Sequence, residues 1–377
     1  MNISIIGTSQ KKHEHRLPLH PGHFARIAPE IRPHLFFEHD YGAPFGVTDA
    51  EIASLFGGVM PREKLLGESD LVILAKPADA DAAALKRGAI LWGWIHCVQN
   101  PSITQIAIDH QLTYLTWERM NTWDSEGKYI SHYFAENNQI AGYAGVLHAL
   151  TLRGMEGNYG PRKKIVLINT GQVSTGAMRA LRVLGFDDIH VVSQNPGKNP
   201  AFEGAEFYQL SHSDSGALQV QHGKSTFALI ELLADADVIV NGILQNPLQP
   251  LMFVQAGEEN RLKRGSLIVD ISCDAGMGFP FAAATSFDEP IVQHGDIYYY
   301  AVDHTPSLLW QSATWAISKV LLPFLETAVA GMDAISQNGV LRRAMEIQHG
   351  KIINTDILAF QKRAADYPHL MEGNQER

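Results

Sequence analysis

Cysteine is scarce: the 377-residue chain carries Cys97 and Cys273 only, at no metal-ligand spacing. That excludes a disulfide-stapled secreted scaffold and predicts a reducing, cytoplasmic setting. Basic residues are also in deficit, 30 Lys and Arg against 40 Asp and Glu, which gives a net charge of −10 and a pI near 5.9. Nucleic acid is therefore not an expected partner, because phosphate neutralisation needs clustered Lys and Arg. No uninterrupted apolar run reaches the ~18 residues of a membrane span. The opening MNISIIGTSQKK patterns as a strand and turn rather than a leader, so no membrane partner is expected. Internal repeats and low-complexity tracts are missing as well.

What is present is a chain 45% hydrophobic and 19% charged, enough for a large core and, at this length, two domains. Its most informative stretch lies mid-chain, in IVLINTGQVSTG. Ile165 to Ile168 form a short, wholly apolar strand. Asn169, Gly171 and Ser174 then occupy the three positions of a G-x-G-x-x-G turn, with Thr170, Gln172 and Val173 between them. The helix TGAMRALRVLG follows, stopped by Gly185, and the strand Ile189 to Val192 completes a βαβ unit. A glycine at the second position lets the backbone approach a pyrophosphate, whose charge the helix N-terminus favours. An ordinary βαβ crossover without cofactor is the competing reading.

Alternating strand and helix patterns precede and follow this unit. Strands are expected at Ile3–Ile6, Leu35–Phe37, Leu71–Leu74, Ile90–Trp94 and Leu112–Leu115. TDAEIASLFG, with Thr48 or Asp49 as cap, and PSITQIAIDHQ pattern as helices between them. Later strands are expected at Val238–Val240, Leu267–Ile271 and Tyr298–Val302, and helix from about Ser307 onward up to a polar, frayed end, PHLMEGNQER. Alternation of this kind predicts an α/β fold of two Rossmann-like, doubly wound parallel-sheet domains. The nucleotide-binding domain, 140–306, is expected to be inserted into a substrate domain built from 1–139 and 307–377. Small residues Ala141, Gly142, Ala144 and Gly145 are expected to permit close packing at the crossing. With the apolar C-terminal helices, they suggest a homo-oligomer.

Several residues have the chemistry and placement of a site. Arg16, in the loop HRLPLHP after the first strand, suits a bidentate carboxylate clamp, against the alternative of a solvated surface arginine. His13, His15, His20 and His23 lie nearby without an accompanying Cys or Glu pattern, so no metal is expected. Lys76 follows the apolar strand LVILA. It suits polarisation of a carbonyl or capture of a carboxylate, or else snorkels from a strand end. His96, after LWGWI, suits proton transfer near neutral pH, against a satisfied core histidine. Glu118 repeats the placement after LTYLTW. Asp274, beyond the strand LIVD in a Gly-rich loop, is a better candidate than Asp270, with a turn aspartate as the alternative. Asp303 and His304 sit at a strand-to-helix junction, where Ser307 or Thr305 could cap the helix. Asn241 and Gly242 follow the strand Val238–Val240 and join the expected cofactor residues.

Six ordered segments, HRLPLHP, Lys76 with GWIHC, AGYAGVLHAL, the mid-chain turn, DISCDAGMG and YYYAVDHTPSLL, together resemble the alanine dehydrogenase superfamily over nearly the whole chain. That superfamily includes the nicotinamide-binding subunit of proton-translocating transhydrogenase, carboxyethylornithine synthase and lysine-forming saccharopine dehydrogenase. AGYAGVL and YYYxVxxTPSL are most similar to carboxyethylornithine synthase, and Asp303-His304 before T-P-S-L to saccharopine dehydrogenase. The resemblance implies an NAD(P)-linked oxidoreductase acting on a C–N bond. It implies substrate carboxylate binding by Arg16, oxygen contacts by Lys76, acid/base work by His96 and a place near nicotinamide and substrate for Asp274. Glu118, Asp303 and His304 are expected on the substrate side.

Two departures bear on the cofactor. Asn169 and Ser174 stand where glycines are usual. The strand 189–192 ends in Ser193 rather than an acid that would bind the ribose 2′-hydroxyl, and Lys198 is nearby. NADP is therefore expected, with NAD as the alternative. The leading functional expectation is reductive condensation of a keto acid with an amino acid amine to a secondary amine. The alternatives are an ammonium-using amino-acid dehydrogenase and a nucleotide-binding transhydrogenase subunit.

Overall fold

The computed structural model describes residues 1–195, 199–245 and 249–371. The chain divides into two compact units. One is discontinuous, Met1–Ala135 with Trp310–Arg377, and the other is Glu136–Leu309.

The first unit begins with strands β1 (Ile3–Ile6), β2 (Leu35–Glu38), β3 (Gly58–Met60), β4 (Leu71–Leu74), β5 (Ile90–Gly93) and β6 (Thr113–Thr116). These pair in parallel in the order β3-β2-β1-β4-β5-β6, the doubly wound order whose direction reverses between β1 and β4. The central strands are largely apolar because both faces are covered, and the buried Ser4 hydroxyl of β1 is paired with that of Ser69. Along β4, Leu71 and Ile73 belong to one core cluster, while Val72 and Leu74 belong to the opposite one. A small hairpin, β7 (Asn121–Trp123) and β8 (Tyr129–His132), follows. Thr48 caps the helix Asp49–Leu55 through a capping box with Glu51.

The second unit repeats the plan. Its strands are β9 (Ile165–Ile168), β10 (Ile189–Ser193), β11 (Glu206–His212), β12 (Leu218–His222), β13 (Ser225–Ala228), β14 (Val238–Asn241), β15 (Leu267–Asp270), β16 (Ile291–His294) and β17 (Ile297–Tyr300). The parallel order β11-β10-β9-β14-β15-β17 again reverses beside the first strand, here between β9 and β14. Antiparallel strands β12, β13 and β16 extend the edges. The helix Ala135–Leu152 packs on the helix Gln172–Val183 through two glycines. A Cβ at Gly142 would lie 1.8 Å from the Val173 carbonyl oxygen, and one at Gly176 1.8 Å from that of Gln139. The small residues expected at a domain crossing thus act inside this unit. The same helix is close-packed at Gly145, where a Cβ would meet Ile271 and Thr305.

Three local expectations need correction. The mid-chain helix starts at Gln172, one residue after Gly171, rather than near Thr175. Neither Thr305 nor Ser307 caps a helix from outside. Both lie within the 3-10 turn Thr305–Leu309, and the Thr305 hydroxyl donates to the Ala141 carbonyl at 3.0 Å. The C-terminal passage is not all helical. Strands β18 (Met345–Gln348) and β19 (Lys351–Ile352) continue the first unit's sheet, β18 running antiparallel to β6. The turn between them, His349-Gly350, has φ of 48° and 77°, the paired left-handed backbone of a tight hairpin. The segment Thr305–Ala330 is long and apolar enough by composition to cross a membrane, but half of it is buried. Ile317, Leu321, Leu325 and Ala328 from it enter the first unit's core.

The glycine contacts give a paired prediction. Gly176→Ala forces helix backbone apart and is expected to destabilise by about 2–3 kcal/mol. Gly67→Ala has open space around its Cβ in a helix interior and should be neutral or stabilising by up to about 1 kcal/mol. Urea unfolding of the two variants measures the difference.

Candidate active site and nucleotide turn

In the first unit, four side chains leave the carboxyl ends of adjacent parallel strands, where open α/β sheets bind ligands. Lys76 follows β4, His96 follows β5 and Glu118 follows β6, while the loop after β1 carries Arg16. Lys76 Nζ lies 2.8 Å from His96 Nε2. On the other side of the ring, His96 Nδ1 is 3.3 Å from Glu118 Oε1. The same oxygen accepts the His96 backbone N–H at 2.7 Å. A lysine ammonium donating to Nε2 assigns the ring proton to Nδ1, facing Glu118. His96 has φ of 54°, a left-handed backbone that a non-glycine residue holds only when its surroundings fix it. The Glu118 hydrogen bond to its N–H supplies that restraint.

Burial first, and then the Glu346 carboxylate, push the Glu118 carboxyl up to about 8, against the backbone donors and Lys76, which lower it. Its Oε2 is buried with no hydrogen-bond partner among the described residues. At neutral pH, Glu118 is thus a protonated acid beside an imidazole.

Arg16 is buried rather than solvated. Its Nε and Nη2 donate to the two oxygens of Glu14 at 2.8 and 2.5 Å, and its guanidinium lies 4.6 Å from the centre of the Trp94 ring. The sequence reading missed Glu14, although an acid two residues before an arginine is a visible signal. The Ser9 hydroxyl donates to the Lys76 carbonyl at 2.7 Å, tying the Arg16 loop to the Lys76 loop at the switch point. Of the nearby histidines, His20 meets the Trp315 ring edge-on and His23 lies tilted against it. Among the described residues, no group of His, Cys, Asp and Glu is arranged to hold a metal.

In the second unit, the loops after β9 and β14 meet at the switch point. Asn169 stands where a glycine is usual and takes the same left-handed backbone, φ 83°. Asparagine tolerates this better than most side chains. Its Nδ2 donates to the Gly242 carbonyl at 3.3 Å, joining the two loops. Gly171 is the extended N-cap of the following helix and supplies no side-chain cap to its first turn. A Cβ there would meet only the Asn169 side chain. Uncapped N–H groups at the head of a helix of 12 residues, beside a bare glycine, fit the pyrophosphate of a dinucleotide. Ser174 is fully buried. Its hydroxyl donates to the Ile168 carbonyl and fills the space that a Cβ on Gly242 would need. It serves helix–strand packing, as the third glycine does elsewhere. The side chain of Gln172 is paired with Gln139, and Val173 packs against the helix Ala135–Leu152. Ser193 ends β10, with its hydroxyl 3.3 Å from that of Thr170 and accepting the Asn195 N–H. Lys198 lies outside the described residues.

Asn241 is buried at the end of β14 and donates to Asp270 at 2.8 Å. Asp270 also accepts from the Tyr299 hydroxyl at 2.8 Å, and burial pushes its carboxyl up to about 7. The sequence reading passed over this brace because Tyr299 lies on a different strand, β17. Asp274 lies beyond the strand, and burial raises its carboxyl. Asp303 and His304 pair at 2.7 Å, with the His304 ring edge-on to Phe287.

Two doubly wound units, one bearing a dinucleotide-type turn and the other a Lys-His-Glu chain, define a nicotinamide-type oxidoreductase architecture. A profile of the alanine dehydrogenase/PNT C-terminal domain matches residues 151–355, a little over half the chain, and the chain belongs to that family. It is an NAD(P)-dependent oxidoreductase acting on amino groups. It is 25% identical over 321 residues to N(5)-(carboxyethyl)ornithine synthase of Clostridium botulinum, covering 81% of this chain and 88% of that one. It is 23% identical over 363 residues to alanine dehydrogenase of Mycobacterium tuberculosis, covering 93% and 94%. A solved L-alanine dehydrogenase superposes with a TM-score of 0.74 at 19% identity, over 96% of this chain and 99% of that one.

The raised Glu118 value has a stability consequence. Glu118 binds its proton more tightly folded than unfolded. Its contribution is therefore present below the pKa of an exposed glutamate and is lost as pH rises through about 8. Glu118→Gln cannot titrate. The unfolding free energy of wild type relative to this variant should fall from about pH 5 to about pH 9 in urea melts.

Proposed function

We propose that the chain condenses a 2-keto acid with the amino group of an amino acid and reduces the product to a secondary amine, with NADPH as preferred reductant. The observation that carries the proposal is the series Lys76–His96–Glu118, linked by polar contacts at the carboxyl ends of β4, β5 and β6. The similarity to N(5)-(carboxyethyl)ornithine synthase favours an amino acid over ammonium as nitrogen donor.

In this mechanism Arg16 binds the keto acid's carboxylate and the Lys76 ammonium donates to its carbonyl oxygen. As the substrate amine attacks the carbonyl carbon, Lys76 passes a proton to the oxygen, which becomes the carbinolamine hydroxyl, and Lys76 regains its proton from solvent. His96 takes the proton that the nitrogen sheds and returns one to the carbinolamine hydroxyl, which leaves as water. Glu118, on the far side of the ring, keeps the proton on Nδ1, so that Nε2 is the working nitrogen. Asp274 stabilises the cationic iminium, and Asp303 with His304 holds the amino acid. When bound, the nicotinamide supplies hydride to the iminium carbon. Residues 169–174, with Ser193, Asn241 and Gly242, would hold the dinucleotide, leaving this unit no acid at the end of β10 to oppose a 2′-phosphate. Cys97 is a buried free thiol and Cys273 a partly buried one, which supports a reducing cytoplasmic setting.

Absorbance of NADPH and NADH is followed with pyruvate or 2-oxoglutarate, adding ornithine, lysine or ammonium in turn. Oxidation is expected only with a diamino acid; oxidation with ammonium alone would replace this reading by an amino-acid dehydrogenase. His96→Gln should lower kcat by about 10²–10⁴-fold with nucleotide binding retained. Ser193→Asp should raise the KM for NADPH by roughly tenfold and spare NADH, through repulsion of the 2′-phosphate.

A further inference from the structure

The C-terminal strand β18 carries a buried carboxylate that the proposed mechanism does not use. The pairing of β18 with β6 shifts register between Met345 and Ile347, so Glu346 sits at a bulge. Bulges re-aim side chains, often beside active sites. Glu346 is buried and accepts from the Cys97 thiol at 2.8 Å and from Asn354 Nδ2 at 2.8 Å. Cys97 directly follows His96. Its carbonyl accepts from the Thr104 hydroxyl and from Gln361 Nε2, at 2.8 and 2.7 Å. The left-handed His96 turn is thus held from behind by the C-terminal segment, through both the thiol and the carbonyl of Cys97.

We infer that Glu346 is a positioning residue for His96, acting through the Cys97 thiol and through its charge on Glu118. The groups facing Glu118 are His96 and Cys97 after β5, Lys76 after β4, Glu346 on β18, and the neighbouring Arg119 and His132. Arg119 reaches Glu346 at 3.9 Å but also pairs with Asp356 at 3.3 Å, so its charge is shared. Glu346 is a second acidic side chain in the cluster, and its charge adds to burial, the larger cause, in raising the Glu118 carboxyl.

This inference rests on the role given to His96, and its test separates the two. Infrared titration without nucleotide follows the protonated carboxyl band that Glu118→Gln removes. In Glu346→Gln that band should titrate about one pH unit or more lower. Cys97→Ala should lower kcat roughly tenfold with KM little changed, and Cys97→Ser, which keeps a donor to Glu346, should recover most of it. An unmoved band in Glu346→Gln, or a Cys97→Ala enzyme with wild-type kcat, overturns the inference. If no keto acid and amine pair supports turnover, the reaction assignment fails, and the infrared titration still decides whether Glu346 governs Glu118.

Discussion

Both sheets are built around a first strand buried on both faces, Ile3–Ile6 in one unit and Ile165–Ile168 in the other, with parallel neighbours on either side. A polar side chain in such a strand must find its own buried partner, as Ser4 does in Ser69, and most positions carry no polar side chain. Polar chemistry is therefore displaced to the loops at the strands' carboxyl ends, and in a parallel sheet all of those ends share one edge. Lys76, His96 and Glu118 come from positions far apart in sequence and converge because β4, β5 and β6 are neighbours. The same constraint sets the loops after β9 and β14 side by side and lets Asn169 bond the Gly242 carbonyl.

Much of this was legible beforehand because short, mostly apolar runs, each followed by a titratable group, are strong local signals. The strands expected before residue 305 all form, whereas β3, β7, β8, β11, β12, β13 and β16, which lack a continuous apolar run, were not expected, and the substitution of asparagine for glycine at 169 preserves the backbone that the motif requires. The partners of the chemical residues were less visible, since pairing depends on strands distant in sequence. Nothing near Asp270 announces Tyr299, and nothing near Cys97 announces Glu346. The hairpin 345–352 was missed for a local reason. MEIQ alternates as a strand does, but it follows amphipathic helices closely, and His349 is an uncommon first residue for a left-handed turn.

Several polar groups in the first unit are set by burial more than by pairing. The Glu118 carboxyl is raised chiefly by loss of water, and so is the Cys97 thiol behind it. The His96 backbone N–H compensates in part for Glu118, whereas Glu346, which accepts from the Cys97 thiol, raises that thiol further. Keeping the Glu118 carboxyl and the Cys97 thiol neutral avoids the larger cost of burying unpaired charges.

The pairing of β6 with β18 has a consequence for synthesis on the ribosome. Residues 113–116 emerge more than two hundred residues before their neighbour at 345–348, so the edge of β6 must wait with its hydrogen-bonding groups unsatisfied. The intervening unit, 136–309, is contiguous and can close its own sheet as it emerges. The nascent chain therefore acquires its nucleotide turn before Glu346 arrives to hold the Cys97 side of the His96 turn. In that interval the open edge at 113–116 is the place where a chaperone, or a second nascent chain, would find a strand to pair with.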